Sequence, residues 1–337
     1  MNSLDKGSSG VYHYACWNGY QHIFILKFMD KIKVFKALAD ETRFRLVILL
    51  LHHEFNVNEM VQALEMGQSR ISRHLKILTE SGVLTSRRNG SFVYYHAVIK
   101  DENKALIDYL RQDLESTPDL KQDLQRAEVI YAERKDRTAR FFQDVAQDWD
   151  QIKHEVLGPI DLNTMIAEEV PSCQVAVDLG CGTGELALML EQKAQRIIGI
   201  DSSPRMLEQA RKRFAHNGHK VELRLGELEH LPLADEEADT AVVSMALHTL
   251  SVPAAGIREA RRVLKRGGRF VLVDFDKHDR SDVRDRFGGP WMGLATDEVR
   301  QWLDDAGFCL KRTDQIAVKN GLCINMFVAD KEEEISD

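Results

Sequence analysis

Cysteine is scarce in this chain, with five in 337 residues, at positions 16, 173, 181, 309 and 323. The count is odd and no C-x-x-C pair occurs, which argues against a disulfide framework and for a reducing cytoplasm. Long apolar runs are missing too. None approaches the roughly 18 residues of a membrane span, so no membrane partner is expected. Residues 1–28 lack the basic start, apolar stretch and cleavage pattern of a signal peptide. They fit poorly with the clean helical pattern that begins at Met29-Asp30. We read them as a segment without fixed structure or as an upstream over-extension of the reading frame.

What is present falls into two parts. At about 150 residues per domain, the length gives two domains. The net charge of −8 hides an asymmetry: Met29–Lys100 carries 11 Lys and Arg against 7 Asp and Glu, whereas the residues after Lys100 carry 32 against 45. A basic domain joined to an acidic one assigns a polyanionic partner to the first only.

The stretch Val175–Ala187, VAVDLGCGTGELA, is the most informative. A β-branched run reaches Asp178, glycines follow at 180, 182 and 184, and a helical pattern begins. Glycine allows a tight turn and close ligand approach, and the helix start offers unpaired N–H groups. A second strand pattern, Arg196–Ile200, ends in Asp201, at the spacing where an acid holds ribose hydroxyls. D-x-G-x-G-x-G followed by IIGID-SSPRML resembles motif I and the second-strand acid of class I S-adenosylmethionine (SAM) methyltransferases. The spacing is G-x-G-x-G, unlike the G-x-G-x-x-G of nicotinamide-binding folds.

That resemblance implies SAM or S-adenosylhomocysteine (SAH) as ligand, and a set of contacts. Asp178 lies near the methionine amine, and Gly180, Gly182 and Gly184 admit the backbone closely. Asp201 takes the ribose hydroxyls and Met206 packs on adenine. In LGELEHLP, Glu227 stands where the superfamily commonly has Asp for the adenine amino group, and Leu228 offers its N–H to the ring. Ser244 ends the fourth strand beneath the sulfur. Methyl transfer needs in-line positioning, with a base only when the nucleophile must lose a proton. His248 is the candidate base, the other reading being a helix-start histidine that shapes the pocket. The cysteines lack the clustered spacing expected of arsenite methyltransferases.

The basic part reads as helices Lys31–Leu38, Glu41–His52 (capped by Asp40), Glu59–Leu64 and Gln68–Ser81, then strands Val83–Arg88 and Ser91–Val98 around Asn89-Gly90. Helix-turn-helix followed by a hairpin is a winged helix. On Gln68–Leu78 one face is apolar (Ile71, Leu75, Leu78). The remainder carries Ser69, Arg70, Ser72, Arg73, His74 and Lys76, which suits major-groove entry. Arg87 and Arg88 beside the hairpin tip, with Tyr94 on the return strand, suit backbone or minor-groove contact. ALADETRFRLVILLL…SRISRHLKILTESGVL…RRNGSFVYYHA resembles the ArsR family of bacterial winged-helix repressors. Many members sense metals through paired cysteines in an ELCVCDL-type stretch. This chain has EFNVNEM there, and amides at 56 and 58 are poor ligands for soft metals. Asp101–Glu115 holds no histidine for the family's other site, and His52-His53-Glu54 reads better as a helix end than a ligand set. No metal is expected.

The expected divisions are 29–100, a winged-helix DNA-binding domain; 101–150, a helical dimerisation and linker segment; 151–331, a methyltransferase-like domain; and 332–337, an acidic tail. Within the linker, Ala105–Leu114 is expected to pair two subunits, because one helix-turn-helix reads only a half-site. Leu120–Phe142 carries the chain onward, and RFFQDVAQDWD resembles the aromatic lid segment before small-molecule methyltransferase domains, the equal alternative being a helix that packs its apolar side on the sheet. The fold class is an N-terminal winged helix-turn-helix (α+β) with a C-terminal α/β Rossmann-like seven-stranded methyltransferase fold. Two functions remain open. One is a cytoplasmic bacterial regulator, dimeric on operator DNA, with SAM or SAH as effector. The other is an active methyltransferase of a small-molecule acceptor that carries a regulatory DNA-binding domain.

Overall fold

A computed structural model of the chain describes residues 31–89, 92–98, 117–215 and 221–332. These form two compact units: one reaches Arg88 and resumes over Phe92–Ile130, the other comprises Tyr131–Asp337 with Asn89–Ser91.

In the first unit, residues 31–38 are helical and helix Glu41–His52 follows. Asp40 starts that helix as the sequence predicts, accepting the Arg43 N–H at 3.0 Å, a cap worth about 1 kcal/mol. Helix Val57–Leu64 opens with a full capping box: Asn56 accepts the Glu59 N–H at 3.1 Å, and Glu59 accepts the Asn56 N–H at 2.8 Å. Asn56, at one of the positions where the family has metal-binding cysteines, is therefore occupied in holding a helix start. Helix Gln68–Glu80 buries Ile71, Leu75 and Leu78 and ends at Ser81. Gly82 turns the chain out of it at φ 74°. The wing is β2 (Leu84–Asn89) and β3 (Phe92–Ala97), joined by a short strand that the sequence reading misses, β1 (Phe55–Asn56), in the order β1-β3-β2.

Helix Pro118–Val145 is continuous, with its residues up to Ile130 grouped in the first unit and those from Tyr131 in the second. Its early turns bury Leu120 and Ala127. Asp123, fully buried, takes both arms of the Arg45 guanidinium at 2.6 and 2.8 Å and Arg126 at 2.7 Å. Removing one partner of such a pair strands a buried charge, at a cost of about 3 kcal/mol or more. The segment expected to pair subunits, Ala105–Leu114, lies outside the described residues.

In the second unit, seven strands lie in the order β6-β5-β4-β7-β8-β10-β9. They are β4 (Cys173–Leu179), β5 (Ala194–Asp201), β6 (Val221–Leu225), β7 (Ala238–Ser244), β8 (Leu264–Phe275), β9 (Phe308–Ala317) and β10 (Cys323–Lys331). The first five run parallel to one another, and β10 runs antiparallel between β8 and β9. Strands read as near-continuous β-branched runs because both faces are covered: Ala176, Val177, Ile198, Val242 and Val271 are all fully buried. The helix after motif I covers Glu185–Leu190, and β5 begins at Ala194, paired with Cys173. Strand order reverses at β4, which has β5 on one side and β7 on the other. In open α/β sheets the ligand crevice lies beyond the carboxyl ends of the strands at that point.

Candidate functional site

A cavity of about 520 Å³ sits in the second unit where that rule places it. Its floor is the motif I loop. Asp178 and Gly180 leave the end of β4, and Asp201 at the end of β5 accepts the Gly182 N–H and the Ser203 N–H, both at 2.8 Å. Burial raises the Asp201 carboxyl, and those two amides draw it partly back. Asp178 is 1 % exposed. Burial pushes its carboxyl up to about 7, aided by the charge of Asp201 and opposed by Lys153. Its Oδ2 has no hydrogen-bond partner among the described residues.

Eight of the nine residues expected to hold the ligand line this cavity: Asp178, Gly180, Gly182, Asp201, Met206, Glu227, Leu228 and Ser244. Gly184 does not. A Cβ there would lie 2.5 Å from Phe214 Cζ, so this glycine serves packing against helix Pro204–Ala215. His248, expected as a base, also lies outside the lining. It is 1 % exposed, with Nδ1 2.6 Å from Asp274 Oδ1 and its backbone N–H donated to Asp274 Oδ2 at 2.9 Å. Its ring packs on Phe275 and Phe287 with centroids 5.6 and 6.1 Å away. Held in this way, the histidine shapes the turn after β7. Beside it Met245, which does line the cavity, adopts φ 55°. A non-glycine in that region stores strain, often at a site.

The roof comes from residues with little local signal. Helix Trp149–Leu157 lies over motif I, with Trp149 Nε1 3.5 Å from where a Gly182 Cβ would stand. Thr183 donates its hydroxyl to Asp150 at 2.6 Å, Arg213 bonds the same carboxylate, and Lys153 reaches Glu185 at 2.5 Å. Burial raises the Asp150 carboxyl, but Thr183, Lys153 and Arg213 hold it below its usual range. Helix Pro118–Val145 adds Lys135, Thr138, Ala139 and Phe142 to the wall. Glu229, also missed, lines the cavity with a buried Oε1 that has no hydrogen-bond partner among the described residues.

In the first unit, Ser69, Arg70, Ser72, Arg73 and Lys76 are exposed on helix Gln68–Glu80, as its pattern predicts. Arg70 bonds the Thr42 hydroxyl at 2.9 Å. His74 is half-buried, 3.7 Å from Asp40, and burial with nearby arginines lowers its pKa. Two wing residues differ from expectation. Arg87 is buried against Glu54, at 2.8 and 3.0 Å, since a guanidinium taken out of water needs a charged partner. Tyr94 is 7 % exposed and faces inward from β3. Arg88 remains exposed. Among the described residues, no group of three or more His, Cys, Asp or Glu is placed to hold a metal ion. His53 instead bonds Glu128 at 2.8 Å.

The sheet order and its crevice define the second unit as a class I methyltransferase-type domain, and the first unit is a winged helix of the DNA-binding class. Residues 177–272 match the methyltransferase domain family, and residues 40–86 match the bacterial regulatory proteins of the arsR family. The chain is an arsR-family winged-helix domain joined to a methyltransferase domain. It is similar to the arsenic resistance transcriptional regulator ArsR1 of Pseudomonas putida, 51% identical over 63 residues, 18% of this chain and 49% of that protein. Arsenite methyltransferase of Halobacterium salinarum is 32% identical over 146 residues, 40% of this chain and 37% of that protein. The chain thus spans less than half the length of each of these two relatives. The uncharacterized protein MJ1123 of Methanocaldococcus jannaschii is 30% identical over 214 residues, 58% of this chain and 98% of that protein.

Proposed function

We propose that the chain is a DNA-binding transcriptional regulator whose methyltransferase-fold domain binds SAM or SAH as effector. The observation that carries the cofactor reading is the buried Asp178 carboxyl, whose Oδ2 has no hydrogen-bond partner among the described residues. A buried carboxylate with an unsatisfied oxygen is costly unless a cation meets it, and the α-ammonium of SAM or SAH supplies one. Asp201 then takes the ribose hydroxyls, Glu227 the adenine amino group, and Leu228 the ring. Bound SAM would supply a sulfonium methyl near Ser244. The chain's own part is to orient that group and exclude water beneath Trp149. Arg70, Arg73 and Lys76 enter the major groove, and Arg88 reaches phosphate, with two copies of the chain on one operator.

The regulator is favoured over an enzyme because the expected base, His248, lies outside the cavity lining, enclosed by Asp274 and two phenyl rings. Of the four described cysteines only Cys181 lines the cavity, and burial pushes its thiol well up. Among the described residues this leaves no group of thiols there for arsenic. Calorimetry of SAM and SAH tests the reading. Gly182→Asp is expected to abolish binding by placing a charged side chain under Trp149. Asp201→Ala is expected to weaken it by about 1–3 kcal/mol through a lost charged hydrogen bond. Unchanged affinity in both variants would overturn the assignment.

A further inference from the structure

Glu227, the carboxylate assigned to the adenine amino group, is engaged by a residue of the chain itself. Lys135 Nζ lies 2.7 Å from Glu227 Oε2. Both side chains line the cavity, with exposures of 33 and 49 %, so the pair faces the space a purine must enter. Tyr131, one turn earlier on the same helix, holds its ring centroid 6.0 Å from that ammonium. Two residues past Glu227, Glu229 presents to the same cavity a buried Oε1 with no hydrogen-bond partner among the described residues. The Lys135 charge acts on Glu229 directly, drawing down a carboxyl that burial has raised.

We propose that Lys135 is a displaceable latch on the adenine end of the cavity, held by Glu227 until the purine amino group takes that carboxylate, and then received by Glu229. The inference rests on the reading of the cavity as a SAM or SAH site. An ammonium and an aromatic amine are both donors that compete for Glu227, and Lys135 stands in the cavity that the purine must enter. A lysine is suited to the transfer, being a point charge on a flexible stem with no fixed fork to realign. Without Glu229 the displaced ammonium would lose its partner, and the ligand would have to oppose that loss. Lys135 is thus a positioning residue, which sets ligand affinity through two carboxylates.

The test is calorimetry of SAH on the full chain in four forms: wild type, Lys135→Ala, Glu229→Gln and the double variant. Lys135→Ala is expected to tighten SAH about two- to fivefold, the range of an exposed ion pair. Glu229→Gln is expected to weaken SAH by a similar factor when Lys135 is present and to have no effect when it is absent, the signature of two residues that act together. Lys135→Arg, which keeps the charge, is expected to bind more like wild type than Lys135→Ala does. An equal effect of Glu229→Gln in both backgrounds, or no change on removing Lys135, would overturn the latch and leave the cofactor reading standing. Failure of the wild type to bind either SAM or SAH would overturn both.

Discussion

Asp178 concentrates the chemistry of the site in one carboxyl. Its pKa of about 7 stands above the ordinary 3.8. The folded state therefore holds the proton more tightly than the unfolded one. The group's contribution to stability is neutral below about pH 4, worsens as pH rises through the window up to about 7, and levels off above it. The full penalty is on the order of 4 kcal/mol, at 1.36 kcal/mol for each unit. Ligand binding runs the other way, because only the ionised carboxylate pairs with an ammonium. SAH affinity is expected to fall by up to about tenfold for each unit below pH 7. Asp178→Asn is expected to remove that pH dependence, weaken SAH and raise the melting temperature at pH 8. A variant that kept the pH dependence would show another group to be responsible. Arg87 and Arg88 separate in the same manner. Arg88→Ala is expected to lower the slope of operator affinity against salt by about one unit. Arg87→Ala instead strands Glu54 and is expected to lower the melting temperature while leaving the slope unchanged. The sequence shows two adjacent arginines by a turn but not that Glu54, 33 positions away, claims the first. Motif I was legible because Asp178, Gly180 and Gly182 fall in one unbroken stretch of chain. Lys135 carried no signal, since its partner lies 92 positions on.

At the scale of elements, the strands beside motif I were the most legible: the pattern Arg196–Ile200 lies inside β5 (Ala194–Asp201), where Ile197, Ile198 and Ile200 are buried. Helix Trp149–Leu157 was less legible, because its function lies in contacts that skip along the chain: Asp150 to Thr183 and Arg213, Lys153 to Glu185. These hold the roof on the motif I loop. Asp150→Ala removes the shared acceptor. It is expected to speed amide hydrogen exchange over residues 149–157 and to weaken SAH by about 1–3 kcal/mol, with the sheet's exchange unchanged. Unaltered exchange over that helix would mean that Trp149, Val156 and Leu157, all buried, suffice to hold it. β1 went unread for a different reason. Two residues paired with Tyr94 and Tyr95 give no period to detect.

The whole chain joins a surface for a polyanion to a cavity for a small ligand through helix Pro118–Val145, which contributes Asp123 and Ala127 to the core of the first unit and Lys135 and Phe142 to the cavity wall of the second. On the proposed reading, the effector site is the cavity of the second unit. SAM and SAH differ by a methyl group and the charge on sulfur, so a sensor must tell a sulfonium from a thioether. SAH suits a relief signal, because its accumulation reports stalled product clearance. Coupling of this kind is usually about 1–3 kcal/mol and reciprocal: whatever factor SAH costs the operator, the operator costs SAH. The most direct test is operator affinity measured at one salt concentration with saturating SAH, with saturating SAM, and with neither. The account expects SAH to weaken operator binding by roughly 5- to 150-fold, and SAM to weaken it less. Equal operator affinity under all three conditions would contradict it, and turnover of a methyl acceptor would then be the function to pursue.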